Sequence, residues 1–219
     1  MRYLFPVREP FNAYSHLIGA IISFAWMILL LIKTPDNSWV HLIAFAVFGI
    51  SVSSMFLSSA LYHAVNVSFK KEEEFRRIDH IMIYIVIAGS YTPICAIALD
   101  GAWSIGMLLG VWLFATGGVL KKIFWLNAPR WFSTILYLFM GWAALIILPR
   151  LWTLLPHPFL LWIGAGGLFY TIGAVIYVLE KPNFRTKHFG FHELWHLFVM
   201  GGAFSHFWAV YRFLPGYQS

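Results

Sequence analysis

The chain has 219 residues, of which 60% are hydrophobic and only 11% are charged. This composition lies outside the range of soluble globular domains and is typical of proteins that reside in a bilayer. The net charge of +6 falls in the connections between apolar stretches, where attraction to anionic headgroups explains it better than nucleic acid does. We therefore expect an integral membrane protein whose partners are membrane lipids, and we do not expect it to bind nucleic acid.

Seven apolar stretches predict seven transmembrane helices. In chain order they cover residues 11–32, 39–65, 78–99, 102–120, 131–149, 158–179 and 191–213. A span needs about 20 mostly apolar residues, so seven spans with short connections fill nearly the whole chain and predict a single domain over residues 1–219. Connections this short make successive helices antiparallel. The predicted fold is an all-α integral membrane protein, a bundle of seven transmembrane helices.

The distribution of positive charge predicts the orientation of this bundle. Twelve of the 15 basic residues precede the first span or lie in alternate connections: Arg2, Arg8, Lys70, Lys71, Arg76, Arg77, Lys121, Lys122, Arg130, Lys181, Arg185 and Lys187. The opposite side has only Lys33, Arg150 and Arg212. Because positive charge accumulates on the cytoplasmic side, we predict a cytoplasmic N-terminus and a C-terminus outside.

Ionisable residues occur near the predicted cytoplasmic ends of the second and third spans. His63 lies near the end of the second span, and Asp79 and His80 lie at the start of the third. The charged run between them, residues 70–77, is predicted to be a solvated loop. Ionisable groups inside apolar segments are costly, usually face the bundle interior and mark functional sites. His63 and Asp79 are therefore candidate site residues.

Two of these residues have simpler interpretations. Asp79 could pair with Arg76 or Arg77 at the membrane interface. His80 is next to Asp79 but points about 100° away from it on a helix, so we expect His80 to face the headgroups. Cys95, within the third span, is the only cysteine in the sequence. With no second cysteine, an intrachain disulfide is excluded.

The seventh span begins with two histidines four residues apart, His192 and His196. This spacing places both rings on one helix face, where they can ligate one ion. With His63 they supply three nitrogen ligands at one depth, and Asp79 adds an acidic group at that depth. Three protein ligands with an open fourth position are typical of catalytic zinc sites.

Several other histidines lie too far from this depth or have other interpretations. His41, His157 and His206 lie toward the outer side, with His206 about 15 Å along the seventh helix from His196. His16 lies at a similar depth on the first span and could support the site through a hydrogen bond.

The segment from His192 to His196 also matches H-E-x-x-H, the metalloprotease helix in which the glutamate is the general base. Glu193 lies about 100° around the helix from His192. It could therefore reach a metal-bound water, or it could point to the membrane interface. An intramembrane metalloprotease thus remains an alternative at this point.

The motifs together resemble the progestin and adipoQ receptor family, and within it the bacterial haemolysin III-like branch. The matching elements extend over essentially the full chain and occur in the family's order: the stretch from Glu9 to His16, Ser59-x-x-x-His63, Asp79, and His192-x-x-x-His196.

This resemblance implies a zinc ion inside the bundle near the cytoplasmic face. His63, His192 and His196 would be the ligands, Asp79 would hold the zinc-bound water, and Ser59 would lie near that water. The resemblance to the bacterial branch also implies a location in the bacterial plasma membrane.

Two functions follow as hypotheses. Adiponectin receptors of the family are linked to ceramide hydrolysis, and a wider superfamily includes alkaline ceramidases. This resemblance favours a zinc-dependent hydrolase that cleaves a lipid amide or ester through a zinc-bound water. The alternative is a non-enzymatic protein with a structural zinc: a receptor-like or membrane-homeostasis protein, or a cytolytic one, as the haemolysin label of the bacterial branch suggests.

Overall fold

The regular structure of the chain is helical wherever the computed structural model describes it, in residues 7–182 and 189–217. The helices are α1 (Pro10–Ile32), α2 (Trp39–Ala64), α3 (Phe69–Pro93), α4 (Gly101–Phe124), α5 (Arg130–Trp142), α6 (Ala144–Leu154), α7 (His157–Leu179) and α8 (Phe191–Phe213). A π-helical turn, Ile94–Ala98, follows α3 directly. The all-α prediction is confirmed. Arg2, Arg185 and Lys187 lie outside the described residues.

Six helical segments of the described chain are long and apolar enough to cross a membrane. They are Pro10–Ile32, Trp39–Ala64, Phe69–Ala98, Gly101–Phe124, Arg130–Leu154 and His157–Leu179, and each overlaps one of the first six predicted spans. The seventh predicted span forms α8, a helix of 23 residues. That helix is less apolar because histidines interrupt its hydrophobic residues. The count of seven spans and the orientation of the bundle stay predictions.

The third helix begins earlier than predicted. The charged residues 70–77 belong to α3, which starts at Phe69, so the prediction of a solvated loop is wrong. Glu73 pairs with Arg76 across one helical turn at 3.4 Å, and Glu72 forms an ion pair with Arg8. Pairs three residues apart stabilise a helix surface, which explains how so charged a segment remains helical.

The fifth predicted span, 131–149, is divided into two helices that meet at Ala143. The Tyr91 hydroxyl lies within hydrogen-bonding distance of two carbonyl oxygens at this break, 2.9 Å from Met140 and 2.6 Å from Gly141. Carbonyls at a helix end lack partners within the helix and need other donors. A tyrosine from α3 therefore stabilises the end of α5.

The helices pack as a closed ring. α1 contacts α2 and α8, α2 contacts α3, α3 contacts α5, α5 contacts α7, and α7 contacts α8, while α4 packs against α3 outside the ring. Because successive spans run antiparallel and α5 with α6 forms a single span, the end of α2 meets the beginnings of α1, α3 and α8. We call this end of the bundle the site end.

Candidate metal centre

Three histidines converge at the site end. His63 comes from the last turn of α2, and His192 and His196 come from successive turns at the start of α8. Each offers a ring nitrogen, and these nitrogens lie within 4.8 Å of one another. The ring centroids are 5.1 Å apart for His63 and His192, and 4.9 Å apart for both pairs that include His196. This cluster, the histidine triad, could hold a metal ion.

The triad is shielded from solvent. His63 and His196 are each only 2% exposed, and His192 is partly buried. A metal is ligated by the neutral form of imidazole. The arrangement therefore offers three ring nitrogens as donors around one point.

A carboxylate supports the His63 ring from behind. His63 Nδ1 lies 2.6 Å from Glu9 Oε2. The hydrogen bond from His63 lowers the pKa of the Glu9 carboxyl to about 2, so Glu9 is ionised at neutral pH and can only accept hydrogen bonds. The ring therefore donates from Nδ1, and Nε2 is the nitrogen that can bind a metal.

The backbone before α1 is attached to the end of α2. Glu9 N–H donates to the His63 carbonyl at 3.0 Å, and Arg8 N–H donates to the Ala64 carbonyl at 3.4 Å. The Arg8 guanidinium donates to the Tyr62 carbonyl at 3.0 Å and lies 4.6 Å from the centroid of the Tyr62 ring. These contacts place the Glu9 carboxylate beside His63.

Both carboxylate oxygens of Glu193 have partners outside the triad. Oε2 accepts from the Gly190 N–H at 2.8 Å, which caps the first turn of α8. Oε1 accepts from Asn12 Nδ2 at 2.9 Å. Glu193 is therefore a helix cap and a link to α1, and this geometry does not support it as the general base of a metalloprotease.

Asp79 lies next to the triad without belonging to it. Its carboxyl lies beside the Ser59 hydroxyl and near the side chains of His63 and Lys122, but it is not among the mutually close ligand atoms. Ser59 lies one turn before His63 on α2 and is 3% exposed. Asp79 and Ser59 are thus neighbours of His63.

The interfacial interpretation of Asp79 is not supported. Among the described residues, no ion pair joins Asp79 to Arg76 or Arg77; Arg76 pairs with Glu73 and donates to Asn127 at 2.6 Å. His80 Nδ1 lies 2.8 Å from the Arg76 carbonyl, so the His80 ring is bound to its own helix.

His16 contacts the triad by stacking. Its ring centroid lies 3.7 Å from that of His196, with an angle of 18° between the planes, and the residue is 3% exposed. Three other histidines have partners outside the triad: His206 Nε2 is 3.2 Å from the Ile163 carbonyl, His41 Nδ1 is 2.7 Å from Ser38 Oγ, and His157 packs on Trp152.

Sequence reasoning assigned no role to Glu9 or Asn12, although both lie in the stretch that carries the family resemblance. A signal was present. Glu9, Asn12 and His16 are spaced by three and four residues at the entry of an apolar span, which places three polar side chains on one helix face. Polar groups at such positions in a membrane helix face the bundle interior.

The described structure defines a class of protein: an all-helical integral membrane protein whose histidine triad could hold a metal ion. A family model described as Haemolysin-III related matches residues 6–207 of the chain. The protein belongs to this family.

Curated relatives agree with this assignment. The chain is 36% identical over 208 residues to Hemolysin-3 of Bacillus cereus, covering 94% of this chain and 91% of that protein. It is 33% identical over 210 residues to a Hemolysin-3 homolog of Bacillus subtilis (strain 168), covering 94% and 95%. It is also 27% identical over 212 residues to the human Monocyte to macrophage differentiation factor, covering 93% and 83%.

These findings confirm the resemblance to the progestin and adipoQ receptor family and to its haemolysin III-like branch. Together with the six apolar helices, the bacterial relatives make this an integral membrane protein of the bacterial plasma membrane.

Proposed function

We propose that the protein is a zinc-dependent hydrolase that cleaves an amide or ester bond of a membrane lipid. The observation that carries this proposal is the histidine triad, whose three ligand nitrogens lie within 4.8 Å of one another. Asp79 and Ser59, beside the triad, are the proposed general base and the residue that orients it.

The donor set fits zinc. Three imidazoles with an open fourth position form one of the ligand sets of catalytic zinc sites. A carboxylate behind a ligating histidine, as Glu9 is behind His63, is a frequent companion of such ligands. When bound, zinc supplies a Lewis acid that activates water at neutral pH.

Asp79 is the proposed general base. Its carboxylate accepts a proton from the attacking water and then gives a proton to the leaving nitrogen or oxygen. The water oxygen bonds to the acyl carbon, the carbon–nitrogen or carbon–oxygen bond breaks, and a fatty acid and an amine or alcohol are released. Ser59, beside Asp79, orients the Asp79 carboxylate through its hydroxyl.

The substrate class follows from where the triad lies. The histidines are buried among helices with the apolar composition of membrane spans, so molecules already in the bilayer have the shortest route to them. A lipid with an acyl amide or ester near its headgroup places the scissile carbonyl at the depth of a helix end.

The test is direct hydrolysis by the purified, metal-analysed protein. Incubation with a mixed bacterial and sphingolipid extract should release fatty acid detectable by mass spectrometry. Asp79→Asn should lower this release by about 10²- to 10⁴-fold, the usual contribution of general base catalysis, with zinc content unchanged. Full hydrolysis by Asp79→Asn would contradict the mechanism.

The name of the Bacillus cereus relative, Hemolysin-3, favours a second candidate function. Here the protein is non-enzymatic, either cytolytic or a receptor-like protein of membrane homeostasis, and the metal is structural and ties α2 to α8. His63→Ala would then lower thermal stability, no lipid would be cleaved at any zinc occupancy, and a cytolytic protein would release dye from vesicles.

A further inference from the structure

We propose that Glu9, in the segment before α1, is a positioning residue of the metal centre. Its carboxylate selects the His63 tautomer and holds the ring so that Nε2 points into the triad. This inference rests on the metal binding of the proposed function and does not depend on hydrolysis.

The contact between Glu9 and His63 has the geometry of a charge-assisted hydrogen bond. The distance from Nδ1 to Oε2 is 2.6 Å, shorter than ordinary hydrogen bonds between neutral nitrogen and oxygen groups. An ionised carboxylate only accepts, so the ring must donate from Nδ1. Electron density pushed onto the ring by the carboxylate makes Nε2 a stronger donor to a metal.

Glu9 is held in place by contacts that do not involve the metal. Its backbone N–H bonds to the carbonyl of His63 itself at 3.0 Å. Its Oε1 lies 3.2 Å from Arg8 Nε, and its Oε2 also accepts from Asn12 Nδ2 at 3.1 Å. Asn12 is 1% exposed and bonds to Glu193 as well. The carboxylate is therefore fixed before a metal arrives.

The same contacts exclude Glu9 as a fourth ligand. Its Oε2 contacts His63 Nδ1 and Asn12 Nδ2, its Oε1 contacts Arg8 Nε, and Glu9 is not among the mutually close ligand atoms. Its effect on the metal must pass through the His63 ring. This is a positioning role, and metal affinity is the property that reports it.

The experiment compares Glu9→Gln with a matched control, Glu72→Gln. Both glutamates form an ion pair with Arg8, but only Glu9 also contacts a triad histidine. Zn²⁺ affinity is measured on the purified full chain by competition with a chromogenic chelator, and the Co²⁺ absorption spectrum reports the coordination geometry. Glu9→Gln should weaken Zn²⁺ binding by about 10- to 100-fold, the usual effect of removing such a supporting carboxylate.

The control should stay within about 2-fold of the wild type, since an exposed ion pair alone contributes little. A third variant, Glu9→Asp, keeps the charge but draws the carboxylate back by one carbon, and its Zn²⁺ affinity should fall between those of the other two. This variant keeps the test decisive if Glu9→Gln does not fold.

The outcomes separate this inference from the proposed function. Equal Zn²⁺ affinities for the Glu9 and Glu72 variants would overturn the positioning role and leave the metal site intact. A loss of affinity in Glu9→Gln, in a protein that hydrolyses no lipid, would support the positioning role while the hydrolase proposal fails. A wild-type protein that binds no zinc would overturn both.

Discussion

Two histidines on the same helix have different surroundings. His196 is 2% exposed and has three other imidazoles around it, from His16, His63 and His192. His206, ten residues further along α8, is partly buried and lies against the Ile163 carbonyl. Both residues are histidines on α8, so their different surroundings come from the neighbouring helices. At the site end, α1 and α2 contribute polar side chains. Around His206, α7 contributes backbone and packing contacts.

The largest expected effect separates the two residues directly. His196→Ala removes one of three proposed ligands and should weaken Zn²⁺ binding by more than about 100-fold, beyond the range for a supporting residue. His206→Ala should keep zinc at the wild-type ratio. It removes one hydrogen bond, to the Ile163 carbonyl, which costs about 0.5–1.5 kcal/mol. Zinc content and melting temperature in detergent measure both effects. Equal zinc loss in the two variants would contradict the claim that His196, but not His206, is a metal ligand.

A smaller effect tests the packing around His206. A Cβ at Gly166 would clash with the His206 ring and lie 3.2 Å from the Gly202 carbonyl oxygen, whereas a Cβ at Gly164, two residues earlier on α7, would meet nothing within 4 Å. Gly166→Ala should destabilise the protein by about 1–3 kcal/mol through overpacking. Gly164→Ala should be neutral or stabilise the helix by up to about 1 kcal/mol.

Melting temperatures of the two glycine variants check this prediction. Zinc content should be unchanged in both, because the histidine triad lies at the other end of α8. Equal melting temperatures would show that α7 and α8 do not pack as closely as the structure indicates.

The smallest expected effect concerns Glu193, which lies between the two ligands of α8 in sequence but is a helix cap in the structure. Glu193→Gln keeps an acceptor for the Gly190 N–H, so stability should fall by less than about 1 kcal/mol. Zinc content and lipid hydrolysis should stay near wild-type levels. An activity loss as large as that of Asp79→Asn would restore the metalloprotease interpretation.

Much of the fold was predictable because hydropathy is a property of the chain alone. The helical class and the first six spans follow from runs of apolar residues. The start of α3 at Phe69 was missed because charged residues suggested a loop, although pairs such as Glu73 and Arg76 stabilise a helix. The break at Ala143 was missed; the Tyr91 hydroxyl from α3 contacts the carbonyls at this break, and no local pattern in α5 reports that contact.

Site residues were predictable where their level along the helix bundle could be inferred from the sequence. His63, His192 and His196 lie near span ends that antiparallel packing brings to one level, and the structure places them together. The contributions of Glu9 and Asn12 depend on how the segment before α1 folds onto the end of α2. That backbone path is set by tertiary hydrogen bonds, which hydropathy does not contain.

The central claim is that one zinc ion is bound by three imidazoles. Zinc K-edge X-ray absorption on the purified chain, combined with elemental analysis, tests it most directly. The account predicts one zinc per chain with three nitrogen ligands at about 2.0–2.1 Å and one further light ligand. Substoichiometric zinc, or a sulfur ligand from Cys95 at about 2.3 Å, would contradict it.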